Sequence, residues 1–321
     1  MKRRTIIPED IEIVQKDDSQ SEQSYLTYDQ CVEQFLTNRT SRNLSKDTLK
    51  YYQQKLSLYR KRHFTIYGKK PNRRITERNI NDFVNYHTIT LGNKISSAQA
   101  SLRAMKAYST FLVEQEIEEK NPFDNYVIKK PKVQSIKTFS EVQIQRLLAQ
   151  PDTKTFVGLR DYVLLTTFLD TGIRMRELTS LNVEDVNFED NYISVLGKNG
   201  HVRNVPMSMQ LKSLVTKYVQ ARGQSYTEAL FISSVETRFT RRAIQDRLIK
   251  YGKKANITDV RVSPHTFRHT FAKMYLKSGG NIFVLQDILG HQTLEMVRVY
   301  VRLFSKDLYD DHKRHNPLGK L

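Results

Sequence analysis

The C-terminal half of this 321-residue chain holds the kinds of side chain that phosphodiester transfer needs when neither a nucleotide nor a metal takes part. Such a reaction needs a nucleophile, cationic hydrogen-bond donors for the non-bridging oxygens, and an acid for the departing oxygen. Each residue type is common on surfaces and in packing, so only the joint order and setting of the candidates are informative. In chain order, the candidates are Arg174, Lys198, His265, Arg268, His291 and Tyr300.

The charge balance indicates a polyanionic partner. Lys and Arg number 52 against 34 Asp and Glu, which gives a formal charge of +18 and a pI near 9.8. Nucleic acid, an anionic membrane or acidic proteins would each satisfy this excess. No apolar run approaches the roughly 18 residues that span a bilayer, and no secretion signal is indicated. The single cysteine, Cys31, fits a reducing cytoplasm.

The elements that must position the candidates divide into two halves. Residues 1–25 are polar without periodicity, which predicts a flexible tail. Helical patterns then begin at a Thr27-x-x-Gln30 capping box and near Ser45, Thr76 and Ser96, which predicts a helical bundle over residues 26–124. Asn121-Pro122 ends that bundle, and residues 125–137 form a basic linker.

Residues 138–321 show mainly helical patterns with one set of strands. Gly197-Lys198-Asn199-Gly200 predicts a tight hairpin with Lys198 at its tip. The predicted fold class is therefore mainly α with a small antiparallel sheet (α+β). The predicted helices span 140–148, 158–169, 210–219, 240–253, 266–277 and 282–289, and the predicted strands span 186–188, 192–196 and 202–205.

The motifs around the candidates resemble those of the tyrosine recombinase (phage integrase) family. A Leu44-Ser45-x-x-Thr48-Leu49-x-x-Tyr52 segment in the helical half is also similar. The resemblance implies a helical core-DNA-binding domain followed by a catalytic domain, and an Xer-like or mobile-element site-specific recombinase that needs no cofactor and no metal. The motifs are Thr171-Gly172-Ile173-Arg174-x-x-Glu177-Leu178, Gly197-Lys198, Pro264-His265-Thr266-Phe267-Arg268, Leu289-Gly290-His291, and Tyr300 nine residues later.

Two arginines match the family's phosphate clamp. The glycine before Arg174 permits a tight turn that presents the guanidinium at a helix start. Arg268 follows His265 by three residues, so both share one helix face and can approach one phosphate. The planar guanidinium group of arginine can donate two parallel hydrogen bonds, which suits the negative charge distributed over the oxygens of a pentacoordinate phosphorane. The neighbouring Arg176 lies outside the motif position, and His269 is expected to pack.

The remaining roles follow from the same resemblance. Lys198 matches the general acid for the leaving 5′ oxygen, His265 assists proton transfer at the tyrosine hydroxyl, and His291 donates a hydrogen bond to the phosphate. Tyr300 matches the nucleophile that forms a 3′-phosphotyrosyl link. Strand exchange would then pass through a four-way (Holliday) junction, inside a tetramer on two double-stranded DNA sites in the cytoplasm, at the nucleoid.

A basic helix is expected to contact DNA. The segment from Thr240 to Lys254 is dense in cations, and the DNA-binding candidates are Arg241, Arg242, Arg247 and Lys250. After Tyr300, apolar residues at helical spacing predict a C-terminal helix that packs either in cis or on a neighbouring subunit. The short N-terminal tail leaves little room for an additional arm-binding domain.

Three other functions remain as alternatives. A type IB topoisomerase shares the chemistry, but the helical first half argues against it. A non-enzymatic DNA-binding module would not need all six candidates in this order. A metal-dependent nuclease could recruit His265, His269 and His291, but no carboxylate lies at ligand spacing with them.

Overall fold

The computed structural model describes residues 26–128, 136–197 and 200–290. The chain separates into two compact units, Met1–Val133 and Gln134–Leu321, and the division falls inside the segment predicted as a linker. In the described ranges, no helix has the length and apolarity needed to cross a membrane.

The N-terminal unit is a helical bundle, as predicted. Thr27, Ser45 and Thr76 each accept a hydrogen bond from the backbone N–H three residues later, which starts a helix at three of the four places predicted from the sequence. The fourth helix begins at Ile95, next to the predicted Ser96, without a side-chain cap. The apolar faces meet in an aromatic core that includes Phe35 and Tyr108. Its helices are α1 (Tyr28–Ser41), α2 (Lys46–Tyr67), α3 (Glu77–Asn85), a π-helical turn (Tyr86–Thr90) and α4 (Ile95–Glu114).

The C-terminal unit combines helices with a three-stranded antiparallel sheet of order β1-β2-β3. Its described helices are α5 (Glu141–Leu148), α6 (Phe156–Thr171), α7 (Met175–Ser180), a 3₁₀ turn (Val183–Asp185), α8 (Met209–Arg222), α9 (Arg241–Lys254), α10 (Pro264–Lys277) and α11 (Ile282–Leu289). The strands are β1 (Val186–Asn187), β2 (Tyr192–Leu196) and β3 (Val202–Pro206). The predicted fold class is thus confirmed. Of α7 the sequence predicted only the start at Arg174, because six residues show too little periodicity to predict a span, and the 3₁₀ turn was not predicted.

Helix α6 forms the centre of this unit. Val163, Leu164 and Phe168 are buried, and α8 and α10 pack against the helix. The Phe168 ring lies 5.7 Å from that of Phe267 on α10, measured between centroids. The buried end of α6 thereby fixes where the chain turns towards α7.

That turn depends on Gly172. Its φ of +59° lies in the left-handed region, which glycine adopts without steric cost. A Cβ at this position would lie 2.5 Å from Cδ1 of Phe271 and 2.9 Å from Cδ2 of Leu289, so side chains of α10 and α11 close over the turn. The glycine therefore serves both the backbone conformation and the packing.

We expect Gly172→Ala to lower the free energy of unfolding by about 2–6 kcal/mol, because a left-handed backbone and an overpacked contact each cost about 1–3 kcal/mol. Gly279→Ala is the matched control, since Gly279 also has a positive φ, of +83°, but no atom within 4 Å of the added Cβ. Denaturant unfolding of both variants measures the difference. Equal losses would show that the packing over Gly172 contributes nothing.

Candidate active site

Arg174 lies at the N-terminus of α7, as the sequence predicted. It is the N-cap residue, with extended backbone at φ −77° and ψ 151°. Its backbone N–H donates to Glu177 Oε2 and its Nη1 donates to Glu177 Oε1, both at 2.9 Å. The side chain keeps 36% of its surface exposed, so Arg174 is held by Glu177 while part of its side chain faces solvent.

Glu177 is the carboxylate around which the site is organised. It is buried, with 5% of the residue exposed, and it receives a second arginine from the sheet. Arg203 Nη1 and Nη2 donate to Glu177 Oε1 and Oε2, both at 2.9 Å, in a parallel two-bond pair. Burial alone would raise the pKa of Glu177, but hydrogen bonds from Arg203 and Arg174 outweigh it and lower the pKa to about 2. The carboxylate is therefore ionised at neutral pH.

Arg268 and His265 lie one turn apart near the start of α10. Pro264 occupies the first turn, and the hydroxyl of Ser263 accepts a hydrogen bond from the Thr266 N–H and caps the helix. His265 is exposed, whereas Arg268 is buried and donates to the carbonyl of Gly172 at 2.8 Å. His269 is half-buried, and burial together with the nearby His265 and Arg268 lowers its pKa.

The C-terminal turn of α11 brings the arginines together. Ile288, Leu289 and Gly290 present successive backbone carbonyls there. Arg203 Nε donates to the first at 2.9 Å, Arg268 Nη2 to the second at 2.6 Å, and Arg174 Nη2 to the third at 3.2 Å. Helix C-termini leave carbonyls without intrahelical partners and carry partial negative charge, which favours cations. Two predicted clamp arginines, Arg174 and Arg268, are thus held on adjacent peptide groups.

Three of the six predicted catalytic residues, Lys198, His291 and Tyr300, lie outside the described residues, as does the predicted C-terminal helix. The flanks of two of them are described. The Gly197 N–H donates to the His201 carbonyl at 2.7 Å, directly beyond the ends of β2 and β3. Gly290, whose carbonyl Arg174 binds, directly precedes His291.

The predicted DNA-binding cations on α9 fall into two groups. Arg241 and Lys250 are exposed, and Arg242 is exposed while pairing with Asp246 one turn later at 3.1 Å. Arg247 differs, because its Nε binds the buried Asp161 and its Nη2 donates to Tyr251 at 2.7 Å. These contacts commit the Arg247 guanidinium to the interior, which argues against the predicted role in binding phosphate.

Sequence reasoning missed the roles of Glu177 and Arg203. Glu177 was visible in the motif, and its place three residues after the cap is the signal for a carboxylate that binds the cap N–H. Arg203 lies two residues before the buried Val205 on β3, so both side chains are on the inward face of the strand. An arginine on the inward face of a short strand is the signal that could have identified it.

The low pKa of Glu177 predicts acid sensitivity. Its folded-state pKa of about 2 lies below the ordinary value of 4.5, so its stabilisation is full above pH 4.5 and is lost as the pH falls towards 2. At about 1.4 kcal/mol per pKa unit, this corresponds to about 3 kcal/mol. Glu177→Gln should flatten the dependence of unfolding free energy on pH in this window, measured by denaturant titration. The exposed Glu184→Gln should retain the wild-type profile, and a wild-type slope in Glu177→Gln would contradict the assignment.

Relatives of this chain are recombinases. Tyrosine recombinase XerD of Yersinia pestis is 28% identical over 295 residues, which cover 89% of this chain and 97% of the relative. Tyrosine recombinase XerC of Vibrio cholerae serotype O1 is 28% identical over 232 residues, covering 71% of this chain and 74% of the relative.

Solved structures share the fold. The integrase of the Tn1549 transposon, in complex with transposon right end DNA, superposes with a TM-score of 0.71 at 19% identity, covering 88% of this chain and 100% of that one. The XerH site-specific recombinase, bound to a palindromic difH substrate after cleavage, superposes with a TM-score of 0.69 at 19% identity. The match covers 89% of this chain and 84% of that one.

The family itself is identified by a match over residues 137–306, more than half of the chain, to the Phage integrase family. That range includes the described arginines and the motifs of all six predicted catalytic residues. The chain therefore belongs to the phage integrase family and is a site-specific tyrosine recombinase.

Proposed function

We propose that this recombinase cleaves and rejoins double-stranded DNA at its recombination sites through Tyr300. The phenol oxygen attacks the scissile phosphorus, and the bond from phosphorus to the 5′ oxygen breaks. Lys198 gives the departing oxygen its proton, while His265 takes the phenol proton. The product is a 3′-phosphotyrosyl link and a free 5′ hydroxyl, and attack of that hydroxyl on the link in a partner duplex reverses the chemistry.

Arg174 and Arg268 bind the non-bridging oxygens in this proposal, with a hydrogen bond from His291. The observation that carries it is the placement of both guanidinium groups on the adjacent carbonyls of Leu289 and Gly290. Planar, permanently charged forks held this way stabilise the charge that develops on the pentacoordinate phosphorus. Because this part of the site is built before DNA binds, little reorganisation is needed during the reaction.

The proposed assembly is a tetramer on two DNA sites that exchanges single strands through a Holliday junction. The helical unit, over residues 26–124, would serve as the core-DNA-binding domain, and residues 138–321 as the catalytic domain. Such a reaction needs no metal and no ATP, because the phosphotyrosyl link conserves the bond energy. The DNA substrate would place the working protein in the cytoplasm, at the nucleoid.

The nucleophile assignment is tested with a nicked suicide DNA substrate made from neighbouring genomic sequence. The wild-type protein should form a covalent adduct that survives denaturing electrophoresis and persists in chelator, and Tyr300→Phe should abolish it. Tyr275→Phe on α10 is the matched control, because it also removes one hydroxyl but should leave the adduct intact. An adduct in the Tyr300→Phe variant would reject Tyr300 as the nucleophile.

The two groups of α9 cations predict opposite outcomes. Arg241→Ala should weaken DNA binding across sequences and lower the slope of log affinity against log salt by about one, the effect of losing one phosphate contact. Arg247→Ala should lower the unfolding free energy by about 3 kcal/mol instead, since it leaves the buried Asp161 without one of its cations. Fluorescence anisotropy at several salt concentrations, beside denaturant unfolding, distinguishes them. A lower salt slope in Arg247→Ala with unchanged stability would reverse the assignment.

A further inference from the structure

Arg203 makes contacts that the proposed mechanism does not use. Its guanidinium binds both oxygens of Glu177 and the carbonyl of Ile288, and 16% of its side chain is exposed. A Cβ on Gly290 would lie 3.1 Å from its Cζ, Nε and Nη1, so the fork lies directly against that residue. Arg203 is thus linked to Arg174 through one shared partner, Glu177.

The charges of this cluster are unequal. Glu177 is a single carboxylate, yet it pairs with two arginines, Arg174 and Arg203. One cation is enough to compensate one buried carboxylate. A second cation buried beside it would have no anion of its own, and its burial would cost desolvation free energy. Arg203 takes the two-bond geometry and is the less exposed of the two arginines, whereas Arg174 makes one side-chain bond to Glu177. The surplus positive charge therefore belongs to Arg174, which is the arginine open to solvent.

We propose that Arg203 is a positioning residue that neutralises Glu177, so that Arg174 is held by this carboxylate without being neutralised by it. The inference rests on the proposed function, in which Arg174 binds the scissile phosphate. Without Arg203, Glu177 and Arg174 would form a simple neutral pair, and the carboxylate would compete with the phosphate for the Arg174 fork. With Arg203 present, the trio keeps one net positive charge for the phosphate.

A charge-balance role makes a specific prediction for paired substitutions. Arg203→Gln makes the trio neutral, and single-turnover cleavage of saturating suicide DNA should fall about 100-fold, comparable to the loss of one transition-state donor. Arg203→Lys keeps the charge and should cleave within about tenfold of wild type. Adding Glu177→Gln to Arg203→Gln restores one net positive charge, and we expect cleavage to recover at least about tenfold over Arg203→Gln alone.

A purely structural role predicts the opposite order. Lysine cannot reproduce three directed bonds, so Arg203→Lys would resemble Arg203→Gln, and the double variant would be no better than either single one. That pattern would overturn the proposal, as would wild-type cleavage by Arg203→Gln. Arg222→Gln is the matched control, because Arg222 donates to the backbone carbonyls of Ala229 and Gly223; its cleavage rate should stay within about threefold of wild type.

Circular dichroism and DNA affinity show whether each variant is folded and bound before its rate is compared. If Arg203→Gln does not fold, Arg203→Lys carries the test: a folded, DNA-bound Arg203→Lys that cleaves about 100-fold more slowly overturns the proposal. The proposed function has a separate test in the same assay. Wild-type cleavage by Arg174→Gln would reject the role of Arg174 itself, whatever the Arg203 variants do.

Discussion

The C-terminal turn of α11 is the constraint on which the described part of the site depends. Three successive carbonyls there accept hydrogen bonds from arginines on three different elements: β3, α10 and the start of α7. A helix end normally leaves such carbonyls to solvent or to a cap, and its partial negative charge attracts cations. Here these bonds join segments that are far apart in sequence, so one helix end sets the spacing of two proposed phosphate ligands.

The electrostatics follow from the same arrangement. Glu177 remains ionised because two arginines donate to it, and its burial strengthens those interactions. The carboxylate orients Arg174 through both its backbone and its side chain. A cationic fork alone would be mobile, and a cation neutralised by its partner would bind phosphate weakly. An oriented arginine with surplus positive charge nearby avoids both problems, which suits a reaction whose transition state gains negative charge.

The sequence predicted what is local. The capping residues Thr27, Ser45 and Thr76 mark helix starts because their hydroxyls bind backbone groups only three residues away. Gly172 and Arg174 were predicted at a turn and a helix start because the glycine and the motif are contiguous. The partners of Arg203 could not be predicted, because they lie 26 and 85 residues away and only the folded chain brings them together. Arg247 illustrates the converse, since its cationic helix suggested DNA while its actual partner, Asp161, is 86 residues distant.

The most direct test is a crystal structure of the full chain on suicide DNA with its scissile phosphate in place. The account predicts non-bridging oxygens within about 3 Å of guanidinium nitrogens of both Arg174 and Arg268, with the two-bond pair between Arg203 and Glu177 intact. A scissile phosphate bound elsewhere on the catalytic unit, with both guanidinium groups left in contact only with protein, would contradict it.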